Sequence, residues 1–211
     1  MCSESIAKKG NQNTYTKTKN RKHASKKPTY TFEGDTYIVN GKCEGLYTPI
    51  LKSILEVLYA AKKQWKRVLV VRFDLHHKGI HFEDNAHISK FIKNLLRKLT
   101  RAYNTNALYV WAREVGKLSE GQHYHCALFI DGNKVNTSYK VLDIIKATWK
   151  YTVPTIKKPF YYIDSQKILE DAVYRLSYLA KVFTKGKRKP TVHDFGKSQL
   201  RRQVTCKQHA R

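Results

Sequence analysis

Apolar positions along this chain fall into two rhythms. Arg67-Val-Leu-Val-Val-Arg-Phe-Asp-Leu75 has an unbroken apolar centre, which predicts a strand buried on both faces. Asn106-Ala-Leu-Tyr-Val-Trp-Ala-Arg-Glu-Val115 predicts a second central strand, and His123 through Ile130 a third. The turn at 116–121 is short enough to make these last two an antiparallel hairpin. Elsewhere the spacing is helical. Apolar residues recur every three or four positions over 46–64 (Leu46, Ile50, Ile54, Leu58), 84–102 (Ile88, Phe91, Leu95, Leu99), 138–150 and 165–184. Asp84 or Asn85 fits the N-cap of the second of these helices. Residues 31–40 predict a hairpin turning at Gly34-Asp35, and 153–163, with Pro154 and Pro159, a loop with room for one edge strand.

The order hairpin, α, β, α, β, β, α, loop, α suits an α+β fold of ferredoxin-like type. It would have an antiparallel central sheet with helices mainly on one face. The 211 residues suffice for one domain with a real core, and no internal repeat is visible.

Charge changes this picture most. Forty-one Lys and Arg stand against 16 Asp and Glu, a net +25, so a polyanion is the leading partner class, nucleic acid foremost. Ribosome-like binding or an acidic membrane surface are the blander alternatives. No apolar run approaches the roughly 20 residues of a membrane span. The polar, basic N-terminus has no apolar signal segment either. Cys2, Cys43, Cys126 and Cys206 lack paired spacing and read as free thiols of a reducing, cytoplasmic compartment. Residues 1–29 carry eight Lys or Arg and one acid, which predicts a disordered basic tail. Folding is then expected to begin near Tyr30 and the domain to run to 200, with 201–211 a second basic tail. From Lys181 onward ten cationic residues face Asp194 alone, and Lys185, Lys187 and Arg188 are candidate DNA contacts.

Candidate chemistry sits in two stretches. In a strand, His123 and His125 share a face while Tyr124 points away. Glu114, near the end of the partner strand, falls across from them if the hairpin turns around 117–120. Two imidazoles and a carboxylate with open positions suit Mg²⁺ or Mn²⁺ bound to a phosphate oxygen. The second stretch is Tyr174-Arg-Leu-Ser-Tyr-Leu-Ala-Lys181, where i,i+4 spacing puts Tyr174 and Tyr178 on one helix face with Lys181 close by. A tyrosine hydroxyl can attack phosphorus and hold a cleaved strand covalently. Taken singly, each stretch also fits ordinary packing or hydrogen-bonded histidines.

Together the two stretches resemble the HUH endonuclease superfamily of rolling-circle replication initiators. His123-Tyr124-His125 matches its His-hydrophobic-His motif, and Tyr178-Leu-Ala-Lys181 its Tyr-x-x-Lys motif, with Tyr174 adding the two-tyrosine form. Val71-Arg-Phe-Asp-Leu-His76 stands in the place of the first motif, loosely. The context Tyr109-Val-Trp-Ala-Arg-Glu114 with Gln122-His-Tyr-His125 is similar to the filamentous-phage (inovirus) initiators and their prophage relatives. The resemblance covers about residues 66–200 and implies an HUH fold and a nickase acting on single-stranded or hairpin origin DNA. It implies Glu114, His123 and His125 as metal ligands and Tyr178 as first nucleophile. Tyr174 would be the second nucleophile, and Lys181 would act at the scissile phosphate. Asp74, His76 and His77 would line the DNA groove or support the site, and Arg72 and Arg113 would touch phosphates. Phe195-Gly-Lys-Ser198 would offer main-chain amides to phosphates. Without a helicase domain, unwinding would fall to a host partner. The competing readings are a non-catalytic nucleic-acid-binding α+β module, an HUH enzyme of transposition or conjugation (transposase or relaxase), and a degenerate prophage regulator that binds DNA through this fold without cutting.

Overall fold

The computed structural model describes residues 23–41, 45–77, 82–115, 121–135, 137–182 and 191–200. Its centre is a five-stranded, wholly antiparallel sheet. The strands are β5 (Val68–His76), β6 (Ala107–Val115), β7 (Gln122–Asp131), β8 (Phe160–Ile163) and β9 (Phe195–Lys197), in the order β8-β5-β7-β6-β9. Two helices interleave with them, α2 (Ala86–Tyr103) and α3 (Ser138–Lys146). From β5 to β8 the chain therefore runs β-α-β-β-α-β with strand order β8-β5-β7-β6, the ferredoxin-like arrangement.

Helix placement differs from the expectation of one mainly covered face. α2 and α3 pack on one side of the sheet, against Leu69, Val71, Phe73, Leu75, Cys126 and Leu128. The other side is covered by α1 (Thr48–Gln64) and α4 (Gln166–Leu176), against Val68, Val70, Val110, Ala112, Ala127 and Phe129. The cause lies in the strands themselves. β5 and β7 are apolar at consecutive positions, so both of their faces must leave water, and helices on one side cannot achieve that.

Local signals set the remaining elements. β2 (Thr29–Phe32) and β3 (Asp35–Ile38) form the expected hairpin, with its turn one residue earlier, at Glu33-Gly34. Both turn residues have positive φ, 50° and 91°, as a tight hairpin with right-handed twist needs. Folded structure begins before Tyr30, because β1 (Ala24–Ser25) pairs with β4 (Leu46–Tyr47) and Thr48 donates to the His23 carbonyl. The rest of the predicted tails, 1–22 and 201–211, lies outside the described residues. Asn85 takes the N-cap position of α2, but the side-chain bond comes from Asp84, whose carboxylate accepts the Ala86 N–H at 2.9 Å.

α4 stops short of the predicted 184. It ends at Leu176, and Ser177–Ala180 continue as a 3-10 turn. Ser177, wholly buried, donates to the Tyr174 carbonyl at 2.7 Å and accepts the Asn40 N–H at 2.8 Å. A side chain bonding back onto its own helix while tied to another segment ends the regular ladder. Among the described residues no helix is long and apolar enough to cross a membrane. Cys126 is a buried free thiol, and the other three cysteines fall outside the described residues.

Candidate metal centre

β7 is the middle strand of five, so each of its side chains has a cross-strand neighbour on both sides. Glu114 on β6 stands directly opposite His123, and His76 on β5 flanks the same histidine from the other edge. One step along the face, His125 lies between Ala112 and Asp74. Because parity alternates, all these residues share the sheet face of α1 and α4. β5 turns polar on that face toward its C-terminal end: Val68 and Val70 give way to Arg72, Asp74 and His76.

The ligand atoms of Glu114, His123 and His125 all lie within 4.8 Å of one another. Glu114 Oε2 is 3.1 Å from His123 Nε2 and 3.2 Å from His125 Nε2. The first contact is a hydrogen bond; the second is an ion pair out of hydrogen-bond line, so among the described residues the buried His125 Nε2 has no hydrogen-bond partner. Its other nitrogen, Nδ1, is 2.8 Å from Asp74 Oδ1. An Nδ1–H donated to Asp74 leaves the Nε2 lone pair facing the cluster, as a metal ligand backed by a carboxylate requires. This group could therefore hold a metal ion, and the free Nε2 is what tests the fit.

Charges in the cluster hold one another. Burial alone would depress His125, but the Asp74 hydrogen bond and the nearby Glu114 outweigh it and hold the imidazole above its ordinary value. Burial would raise Asp74, yet the bond to His125 and the positive charges of His125 and Arg72 bring it below the usual carboxylate range. Arg72, 4% exposed, lies 3.5 Å from Asp74 and is lowered by its own desolvation.

Of the two tyrosines, Tyr178 reaches this cluster. Its ring stands edge-on to His125 with centroids 5.1 Å apart. The Arg72 guanidinium lies 4.6 Å from the ring centre and Lys181 Nζ 4.0 Å from it. Burial first, and Glu114 next, push the phenol up, while Arg72 opposes them. Tyr174 is 41% exposed and makes no ring contact with the cluster among the described residues. The shared helix face fails because α4 has become 3-10 before Tyr178, turning ~120° per residue instead of ~100°.

Several expected DNA contacts sit elsewhere. Arg113 is buried on the α2 face, donating to the Phe82 carbonyl and to Gln122 Oε1, both at 3.2 Å. Being next to Glu114 in a strand, it must point the opposite way. His77 is wholly buried on that far side too, within 5.0 Å of the rings of Phe82, His87, Trp149 and Tyr151. Burial, and then His87, lower its imidazole to about 4. His76 does border the cluster, its ring centroid 5.1 Å from that of His123. The amides of Phe195–Ser198 are not presented to phosphate as a free loop: β9 pairs with β6, and the Ser198 N–H is bonded to the Tyr109 carbonyl. Lys185, Lys187 and Arg188 lie outside the described residues.

Asp74 behind His125 and Arg72 over Tyr178 are the contacts that sequence reasoning specified least. The signal available for them was the switch from apolar to polar at alternate positions of β5.

Residues 27–159 match the family model of the YagK/YfjJ C-terminal domain. The chain belongs to this prophage-associated family. The matched region contains Asp74, Glu114, His123 and His125 and ends before Tyr178. No curated protein and no solved structure matches the chain.

Proposed function

We propose that this protein is a metal-dependent nickase that opens single-stranded or hairpin origin DNA to start rolling-circle replication. The observation that carries the reading is a convergence: a Glu-His-His group whose carboxylate-backed His125 Nε2 makes no hydrogen bond among the described residues, and a tyrosine edge-on to that histidine with two cations over its ring. The order of the sequence motifs and the +25 charge support the same reading.

Glu114, His123 and His125 would hold the ion, and Asp74 would fix the orientation of His125. Mg²⁺ or Mn²⁺ held there would supply a Lewis acid at the scissile phosphate. Tyr178 Oη attacks phosphorus, and the bond from phosphorus to the 3′ oxygen breaks. The phenol gives up its proton, the departing 3′ oxygen takes one up, and the 5′ phosphate stays esterified to Tyr178. Bond energy is retained in that ester, so a 3′-hydroxyl can later attack it and rejoin a strand without ATP. Arg72 opposes the burial and the Glu114 charge that push the phenol up, and with Lys181 it would offer positive charge to the incoming phosphate. Tyr174, at the surface, would serve as the second acceptor only if the DNA or the chain brings it closer. Separation of the duplex would come from a host helicase.

The test is incubation with labelled single-stranded DNA from the protein's own replicon, with Mn²⁺, Mg²⁺ or EDTA, followed by a denaturing gel. A cut and a protein-linked band with either metal are expected, both lost in EDTA and in His123→Ala. Tight binding with no cut under either metal would leave the non-catalytic DNA-binding module as the better reading.

A further inference from the structure

The sheet face opposite the metal cluster carries a feature that nicking does not use. α2 spans 18 residues without one acidic side chain. Lys90, Lys93, Arg97 and Arg101 are all exposed, and their spacing of three, four and four places them in one stripe along its outer side. Eleven residues of helix make that stripe about 16 Å long. None of the four has an ion-pair or hydrogen-bond partner among the described residues. Lys98, just beside the stripe, is instead bonded to the Ala147 carbonyl at 3.2 Å. Four aligned like charges repel one another, so an external anion is their natural complement.

We infer that this stripe is a second DNA-binding surface, for the phosphate backbone of a duplex. Three observations select that partner. The apolar side of α2 (Ile88, Phe91, Ile92, Leu95 and Leu99) is spent inside the core, so nothing remains to insert into a lipid surface. The exposed positions of the helix include no aromatic on which unpaired bases could stack, so a single strand finds charge there but no platform. The spacing along a rigid rod suits repeating phosphates, which need no side-chain pocket. The molecule would then engage duplex on the α2 face and single strand on the cluster face. The duplex half of that arrangement rests on the stripe alone, and the single-strand half rests on the nickase reading.

The test measures binding of the full chain, in EDTA, to a 30-base-pair duplex of arbitrary sequence, to a single strand of equal length, and to phosphatidylserine vesicles. The variant is K90Q/K93Q/R97Q/R101Q, exposed substitutions by a good helix former, checked for retained helicity by circular dichroism. A control, K62Q/K63Q/K66Q/K157Q, removes the same charge elsewhere. The stripe variant should lose at least tenfold in duplex affinity, and its log Kd against log salt slope should fall by about 3–4, near 0.9 per lost phosphate contact. Single-strand binding should change less than threefold, and the control should keep its duplex affinity to within threefold. An equal loss on duplex and single strand, an equal loss in the control, or a loss confined to vesicles would overturn the inference.

Discussion

At the scale of single residues, the site is held by a carboxylate outside the Glu114-His123-His125 group. Asp74 accepts from His125 Nδ1 and is steadied by Arg72, so it sets which nitrogen of His125 faces the cluster. Asp74→Asn should weaken Mn²⁺ binding about 10- to 100-fold in calorimetry, with the fold retained, as is usual for a carboxylate behind a ligating histidine. His77 makes a separate prediction. Its folded value near 4 lies below the ordinary 6.5, so the unfolded chain takes up a proton first as pH falls. Stability from this group is complete above about pH 6.5 and is lost as pH falls toward 4, by about 2–3 kcal/mol. Urea midpoints in EDTA should show that loss for the wild type and a clearly smaller one for His77→Phe; an unchanged loss contradicts the assignment. Strand parity made part of this legible in the sequence. His123, His125 and Glu114 were placed by alternation and hairpin closure alone. The same alternation separates neighbours, so Arg113 cannot face where Glu114 faces.

Among elements, the strands were the most readable and the end of α4 the least. β5, β6 and β7 announce themselves by long apolar runs, and their length leaves little freedom of register. Apolar spacing cannot register the change from α to 3-10 at Ser177, because one bond from Asn40 and one to the Tyr174 carbonyl decide it. That change is what turns Tyr178 inward and leaves Tyr174 outside. β9 was not legible as a strand either, since Phe195-Gly-Lys has too few residues to show alternation. Its place is fixed by a close approach: a Cβ on Gly196 would come 2.6–2.7 Å from the Trp111 ring. Gly196→Ala should therefore destabilise the fold by about 1–3 kcal/mol in urea unfolding and loosen β9 from β6 in hydrogen exchange. The ion pair between Lys197 and Glu56, which ties β9 to α1, would loosen with it.

For the whole molecule, the two faces of one sheet carry different groups. One carries the Glu114-His123-His125 group under α1, α4 and the Tyr178 turn. The other is closed by α2 and α3, with the basic stripe outermost. The sequence indicated that β5 is buried on both sides, and that property alone requires the second layer of helices; the expected order of elements hid it. The family match covers Glu114, His123 and His125 but ends before Tyr178, so the covalent step has its own test. The most direct measurement is peptide mapping of the protein–DNA adduct. The protein is incubated with Mn²⁺ and single-stranded origin DNA, digested with nuclease and protease, and read by tandem mass spectrometry. A nucleotide phosphate on Tyr178, absent in EDTA and in Tyr178→Phe, is the predicted result. A metal-dependent cut that leaves no adduct, or an adduct on Tyr174 that persists in Tyr178→Phe, would contradict Tyr178 as the nucleophile.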